Sequence, residues 1–172
     1  AQETQAFFSP GRVNLIGEHT DYNGGHVFPC AISLGTYALV AVRADHKSRL
    51  YSMNLAYKVI LEFPMTYLSY DKKYDRANDP MGVIRMFEEA GYKASHGFDI
   101  VINGTLPPSS GLSSSASIEV LTAVILNDAF DFGLSMVDMV KLSQKAENKC
   151  VGVNCGIMDQ FAVGMGKKDH AI

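Results

Sequence analysis

Three short stretches of the 172-residue chain carry residues whose types and spacing could do chemistry. The first, residues 9–25, is rich in glycine and asparagine and contains Arg12, Glu18, His19 and Asp21. Glycines free the backbone for tight turns, and closely spaced carboxylates with a histidine can hold several hydroxyl groups in fixed positions. Such a cluster suits sugar recognition, because a site built to hydrogen-bond a hydroxyl rejects an epimer that misplaces it. The simpler alternative is a solvated polar loop.

The second stretch, residues 104–117, is a loop of Gly, Pro and Ser that joins two regular elements. The alternating residues 98–103 predict a half-buried strand before it, and the apolar residues 118–130 predict a buried helix after it. The first turn of a helix presents unpaired backbone N–H groups at the positive end of the helix dipole. Gly111 would let an anion approach the backbone, and serine hydroxyls add donors or a metal ligand. Helix capping and turn formation explain the serines equally well.

The loop is not a Walker A loop, because the chain contains no Gly-x-x-x-x-Gly-Lys-[Ser/Thr] sequence. The third stretch, residues 151–161, is a glycine-spaced turn that should bring Asp159 close to the start of a helix. Within it, Cys155 has no Cys/His/Asn arrangement that would support a role as a nucleophile. Cys30, Cys150 and Cys155 are an odd number without zinc-type pairing, which favours reduced thiols in the cytoplasm.

The composition excludes several classes of partner. A net charge of -3 offers no general attraction to nucleic acid or to an anionic membrane. The apolar stretches are too short or too polar-flanked to cross a bilayer. An apolar fraction of 47% and a charged fraction of 19% are ordinary for a globular protein. We therefore expect a cytoplasmic globular chain with neither a nucleic-acid nor a membrane partner.

The remaining residues predict the elements that must position these stretches. Residues 37–42 predict a buried strand, and residues 50–53 a weaker one. In residues 57–63 the apolar positions 57, 59, 61 and 63 alternate with positions 58, 60 and 62, which predicts a strand with one wet, solvent-exposed face. Residues 67–78 are polar and predict a loop. Asp79 is predicted to be the N-cap of a helix, with Pro80 at its first position, and Gly91 is predicted to end that helix. A further helix is expected to start near Ser135 and to run to about residue 149.

With all three stretches in view, the sequence resembles the galactokinases of the GHMP kinase superfamily. The segments concerned are residues 9–25 for galactose recognition, 106–117 for the phosphate loop and 152–162 for the catalytic aspartate. The resemblance implies an α/β fold of the α+β type over residues 1–172. This is the GHMP kinase amino-terminal lobe, which is ribosomal protein S5 domain 2-like, with a mixed sheet and packed helices. Galactokinases are considerably longer than this chain, so we expect the carboxy-terminal lobe, a partner of this one, to be absent.

The resemblance also implies an activity, namely the ATP-dependent phosphorylation of the C1 hydroxyl of D-galactose to galactose 1-phosphate. Asp159 would be the base that receives or orients the C1 hydroxyl proton. Arg12 would lie beside it, favouring the ionised carboxylate and offsetting charge on the transferring phosphoryl group. The sugar hydroxyls would be held by Glu18, His19 and Asp21, together with the backbone near Cys155 and Gly156.

The same resemblance implies a site for ATP and Mg²⁺. The residues around the phosphates would be Gly111, Leu112, Ser113, Ser114, Ser115, Ala116 and Ser117. Ser115 and Glu147 would hold Mg²⁺, a hard cation that prefers oxygen ligands. The alternative for Glu147 is a solvated helix residue. For the isolated chain we expect the chemical residues to be present but the cleft to remain open to water.

Two other functions are weighed against the kinase. The first is a non-catalytic regulator that senses galactose and ATP, which the uninterrupted residues 111–117 and the presence of both Arg12 and Asp159 disfavour. The second is a sibling kinase for N-acetylgalactosamine, another sugar, mevalonate or homoserine. The Glu18, His19 and Asp21 cluster disfavours the non-sugar substrates but not the N-acetylated sugar.

Overall fold

A computed structural model of the chain describes residues 3–55, 59–66, 68, 71, 74, 77–107, 110–152 and 154–172. In these residues five strands form one mixed sheet in the order β1-β2-β5-β3-β4. The strands are β1 (Thr4–Asn14), β2 (Pro29–Val42), β3 (Lys47–Ser52), β4 (Ile60–Pro64) and β5 (Phe98–Gly104). β3 pairs with β5 in parallel, and the other neighbouring strands pair antiparallel. The mixed sheet implied by the resemblance is confirmed.

The helices of the described chain are α1 (Asn78–Glu89), α2 (Ser114–Ala129), α3 (Met136–Ala146) and α4 (Met158–Met165). α2 and α4 contact β1 and β2 of the sheet, and α1 and α3 pack against α2. A 3-10 turn covers Asp21–Asn23, and a π-helix covers Glu147–Val151 directly after α3. None of the helices in the described ranges has the length and apolar character that a membrane span requires.

One face of the sheet carries the core. On β2, Ala38 and Val40 are buried, whereas Tyr37 and Leu39 are 48% and 52% exposed. The predicted strand at residues 37–42 is therefore present, but the prediction that it is buried on both faces is wrong. Successive side chains of a strand point to opposite faces, and a strand covered by helices on one side buries only every second residue. β4 likewise buries Phe63 and exposes Ile60, which confirms the one wet face predicted for that strand.

The predicted helix boundaries are close but not identical to those of the structure. α1 begins at Asn78 and Ala77 occupies its N-cap position, so the prediction that Asp79 is the N-cap is wrong by two residues. Pro80 is still compatible with the first turn, since the N–H groups there have no acceptor within the helix. Gly91, with a φ of +95°, ends the helix as predicted. The described structure omits Tyr57, Lys58 and most of residues 67–78, so the predictions made for them lie outside the described residues.

α2 anchors the loop that precedes it. The helix begins at Ser114, within the serine-rich stretch and four residues before the predicted start. Leu121 and Leu126 are each 1% exposed and fix the helix in the core. At its first turn, the Ser117 hydroxyl donates to the Ser9 carbonyl at 2.9 Å and is hydrogen-bonded to Thr36 Oγ1 at the same distance. The loop is thus attached to a helix that is held against both β1 and β2.

Candidate active site

The centre of the site is an ion pair between the first strand and the last helix. Arg12 projects from β1, and Asp159 lies in the first turn of α4, 147 residues further along the chain. Arg12 Nε donates to Asp159 Oδ1 at 2.8 Å, and Arg12 Nη2 lies 2.7 Å from the same oxygen. The side chain of Asp159 is 30% exposed, so the carboxylate is accessible to a ligand.

The serine-rich loop closes over this pair. Arg12 Nη1 donates to the Gly111 carbonyl at 2.6 Å, and the backbone N–H of Arg12 donates to the Leu112 carbonyl at 3.2 Å. A side chain at Gly11 would place its Cβ 2.7 Å from the Leu112 carbonyl oxygen, so only glycine allows this approach. Ser113 Oγ donates to Asp159 Oδ2 at 2.5 Å. β1, the loop and α4 are therefore joined at one carboxylate.

A polar cavity of about 240 Å³ lies at this junction. Its described lining residues are Arg12, Ser110, Gly111, Leu112, Ser113, Ser114, Ser115 and Asp159. The start of α2 opens into it, and unpaired N–H groups at a helix start attract anions. A guanidinium, a carboxylate and a set of hydroxyls at such a cavity can bind a phosphate and accept a proton beside it.

Two of the residues expected to bind phosphate face the interior instead. Ala116 and Ser117 are fully buried. The Ser117 hydroxyl is used within the protein, and its backbone N–H donates to the Ser113 carbonyl at 3.0 Å. Their predicted contact with ATP stays a prediction, whereas residues 111–115 lie at the cavity.

Behind the loop lies a network of buried polar side chains. Ser115 Oγ donates to Glu147 Oε1 at 3.1 Å, which brings the two predicted magnesium ligands together. Glu147 is 9% exposed, so it is not the solvated helix residue considered as the alternative. Its other oxygen accepts hydrogen bonds from Cys155 Sγ at 3.0 Å and from Gln160 Nε2. Gln160 Nε2 also donates to Glu119 Oε2 at 3.0 Å.

Glu119 is fully buried next to the site. Burial, which disfavours the charged form, raises the pKa of its carboxyl group to about 9, and the nearby charge of Glu147 adds to this shift. Among the described residues, neither Glu119 Oε1 nor Gln160 Oε1 has a hydrogen-bond partner. Glu119 therefore carries its proton at neutral pH.

None of the predicted sugar-binding residues is among the described residues that line the polar cavity. Asp21 lies against the start of α4, where its Oδ2 accepts a hydrogen bond from the Met158 N–H at 3.4 Å. The backbone of Gly156 passes so close that a Cβ there would overlap the Asp21 carboxylate. His19 is exposed and hydrogen-bonds the Tyr22 hydroxyl at 2.8 Å, and Glu18 is exposed.

Cys155 is held by its neighbours in a form unsuited to nucleophilic attack. Its N–H donates to Asn148 Oδ1 at 2.9 Å, and its thiol donates to Glu147. Burial first, and then the hydrogen bond to Glu147, strongly raise the pKa of the thiol. All three cysteines lie in the described ranges and are free thiols.

Sequence reasoning missed Glu119, Gln160 and Asn148. The available signal was Glu119 itself, a charged residue inside an apolar helical run and one turn after Ser115, which places both on the same helix face. Gln160 follows Asp159 directly but carries no charge or motif that marks it.

In the parts of the chain that the structure describes, no three His, Cys, Asp or Glu side chains are grouped as metal ligands.

Comparison with known families identifies the class of protein. Residues 78–167, about half of the chain, match the family model of the GHMP kinases N terminal domain. The chain therefore belongs to the GHMP kinases. Residues 1–42 match a second model, the galactokinase galactose-binding signature. The resemblance to galactokinases inferred from the three motifs is confirmed.

Individual relatives agree with this assignment. The chain is 61% identical to the galactokinase of Fusobacterium nucleatum over 170 residues, which is 99% of the chain and 44% of the relative. A crystal structure of Lactococcus lactis galactokinase complexed with galactose matches with a TM-score of 0.95 and 47% identity, over 99% of this chain and 44% of that one. The Methanococcus jannaschii mevalonate kinase, at 20% identity and a TM-score of 0.79, shows the shared fold alone; the match covers 96% of this chain and 52% of that one. The chain thus spans less than half the length of the galactokinases it matches.

Proposed function

We propose that the protein carrying this chain is a galactokinase, which transfers the γ-phosphoryl group of ATP to the C1 hydroxyl of D-galactose. The observation that carries the proposal is Asp159, which is held by Arg12 and Ser113 at the wall of a cavity lined by a phosphate-type loop. The choice of sugar is supported by the galactokinase relatives and by the match of residues 1–42 to a galactose-binding signature.

In the proposed reaction, the C1 oxygen of galactose forms a bond to the γ-phosphorus of ATP. The bond from that phosphorus to the β–γ bridging oxygen breaks, and ADP leaves with the electron pair. The hydroxyl proton passes to the Asp159 carboxylate, which acts as the general base. Arg12 lies between this carboxylate and the Gly111 carbonyl, so its positive charge is fixed beside the transferring group.

Ser115 and Glu147 would hold Mg²⁺. Their oxygens lie 3.1 Å apart, and both are donors that this hard cation prefers. Two protein ligands are enough, because Mg²⁺ usually keeps several waters and completes its shell with substrate phosphates. When bound, the ion neutralises negative charge on the ATP phosphates.

We propose that the nucleoside part of ATP binds in a second cavity. It measures about 310 Å³ and shares Ser114 with the polar cavity. Most of its described lining is apolar, including Leu50, Ile102 and Leu106, and Asn54 is among its polar members. A flat base suits an apolar pocket with a few polar groups, and the phosphates of the nucleotide would then extend towards residues 111–115.

We also infer a cytoplasmic location, which the three free thiols support.

The test is the formation of galactose 1-phosphate from galactose and Mg-ATP, measured on the longest protein product that carries these 172 residues. Asp159→Asn should lower kcat by about 10²–10⁴-fold, the usual contribution of a general base. Asp128→Asn, the same chemical change at an exposed position of α2, is the matched control and should leave kcat unchanged. Retained turnover in the Asp159 variant would contradict the proposed mechanism.

The same assay separates the alternatives. N-acetylgalactosamine in place of galactose tests the sibling kinase, and faster turnover of the N-acetylated sugar would overturn the choice of substrate. Binding of both galactose and ATP with no turnover by the wild-type protein would favour the regulator instead.

A further inference from the structure

Ser113 has a backbone conformation that serine seldom adopts. Its φ of 58° and ψ of 52° lie in the left-handed region, which the Cβ atom disfavours in residues other than glycine. Gly111, two residues earlier, also has a positive φ, so glycine is used in this loop where its freedom is needed. A serine at position 113 therefore needs a reason that lies in its side chain.

That side chain does not serve the helix it precedes. Ser113 is the N-cap of α2, where a serine hydroxyl ordinarily accepts a hydrogen bond from the first turn. Here there is no such bond, although Ser135 makes one at the start of α3. The Ser113 hydroxyl instead donates to Asp159 Oδ2 at 2.5 Å, and its residue is only 9% exposed. Strained backbone that persists next to reacting groups is common at functional sites.

The two oxygens of Asp159 are thus held from two directions. Arg12 holds Oδ1 from β1, and Ser113 holds Oδ2 from the loop. A carboxylate bound at only one oxygen could rotate about its side-chain bonds, whereas one bound at both has a fixed plane. The rate of proton transfer depends on that orientation, since small displacements of a catalytic group can cost about 10²-fold in rate.

We propose that Ser113 is a positioning residue for the phosphoryl transfer, whose hydroxyl orients the Asp159 carboxylate. This role rests on the proposed function. It is distinct from contact with the ATP phosphates, which any backbone N–H of the loop could supply. It also explains why the strained position holds serine, because glycine would relax the backbone but has no hydroxyl to donate.

Two variants remove the same hydroxyl but differ in strain. Ser113→Ala keeps a Cβ in the left-handed region, and Ser113→Gly relaxes it. If the hydroxyl positions Asp159, both variants should lose about 10–100-fold in kcat, with the KM values for galactose and ATP within about twofold of wild type. Ser113→Gly should nevertheless unfold at a temperature about 2–4 °C above that of Ser113→Ala.

Two results would overturn the role. A Ser113→Gly protein with wild-type kcat would show that only the backbone conformation matters. Variants with a raised KM for ATP and an unchanged kcat would show that Ser113 is a phosphate donor and nothing more.

A double-mutant cycle tests the contact without turnover. Ser113→Ala should lower the unfolding temperature by a few degrees when Asp159 is present, and by less than about 1 °C in the Asp159→Ala background. Equal shifts in both backgrounds would refute the contact. Absence of turnover in the wild-type protein would refute the proposed function, and the positioning role with it, whereas the cycle would still show whether the contact exists.

Discussion

The buried carboxyl group of Glu119 should make the stability of the chain depend on pH in a recognisable way. Glu119 is fully buried in α2, and its hydrogen-bonding neighbour is the amide of Gln160. Burial raises its pKa from 4.5 to about 9, so the folded chain holds a proton that the unfolded chain has lost at neutral pH.

The direction of the effect follows from proton linkage. Between about pH 4.5 and pH 9 the folded state binds one more proton at Glu119 than the unfolded state does. Raising the pH in this window therefore favours unfolding, by about 1.4 kcal/mol for each pH unit. Between pH 6 and pH 8 the free energy of unfolding should fall by about 3 kcal/mol on account of this one group.

The substitution Glu119→Gln removes the titrating carboxyl group and keeps a side chain of nearly the same shape. A glutamine oxygen can still accept the hydrogen bond from Gln160, and the amide places no charge in the core. The variant should therefore gain stability over wild type as the pH rises, by about 3 kcal/mol more at pH 8 than at pH 6. Other titrating groups are the same in both proteins and cancel in the difference.

Urea unfolding at pH 6, 7 and 8 measures this difference directly. Glu3→Gln, the same change at an exposed position, is the matched control and should follow the wild-type curve. If wild type and Glu119→Gln kept a constant difference from pH 6 to pH 8, the buried group would not be protonated, and the reasoning would be refuted.

Three further outcomes are expected. Gly156→Ala should weaken galactose binding at least tenfold, measured by calorimetry, because a Cβ there overlaps the Asp21 carboxylate; unchanged affinity would separate Asp21 from the sugar site. Cys155 should react with iodoacetamide far more slowly in the folded chain than in urea, because burial raises the pKa of its thiol and leaves little thiolate; equal rates would contradict this. Ser117→Ala should lower the free energy of unfolding by about 1–2 kcal/mol and leave ATP affinity unchanged, because its buried hydroxyl bonds Ser9 and Thr36; weaker ATP binding would support the predicted ATP contact instead.

The sequence predicted the order of the elements around the site better than it predicted which side chains are buried. The strand at residues 98–103 is found where the pattern placed it, and the loop and helix follow in the predicted order, although the helix begins four residues earlier than predicted. The reason is that hydrophobic periodicity and glycine positions are local signals, and this strand–loop–helix unit is local in the chain. The turn before Asp159 was predicted from its glycine spacing for the same reason, whereas β1, which carries Arg12, was not predicted as a strand.

The parts that depend on packing could not be predicted in this way. Hydrophobic periodicity does not show that β2 is covered on one face only, and the position of Glu119 in an apolar run is only a weak sign that it turns inward while Glu18 is exposed. Both outcomes are set by which elements meet, and local periodicity and turn signals do not show which elements those are. The positive φ of Ser113 is likewise not visible in the sequence, and the partner of its hydroxyl, Asp159, lies 46 residues away.

The residues of the site lie far apart in the sequence, so the site forms only when the elements that carry them have folded together. Arg12 and Asp159 come from opposite ends of the described chain, and the hydrogen bond between them can form only when β1 and α4 are both in place. α2 packs against both of these elements and also carries the loop at its start. Loosening α2 would therefore separate Arg12, Ser113 and Asp159 together, although each belongs to a different element. The arrangement of these three residues thus depends on the packing of α2, and the buried groups that hold this helix support the site from a distance.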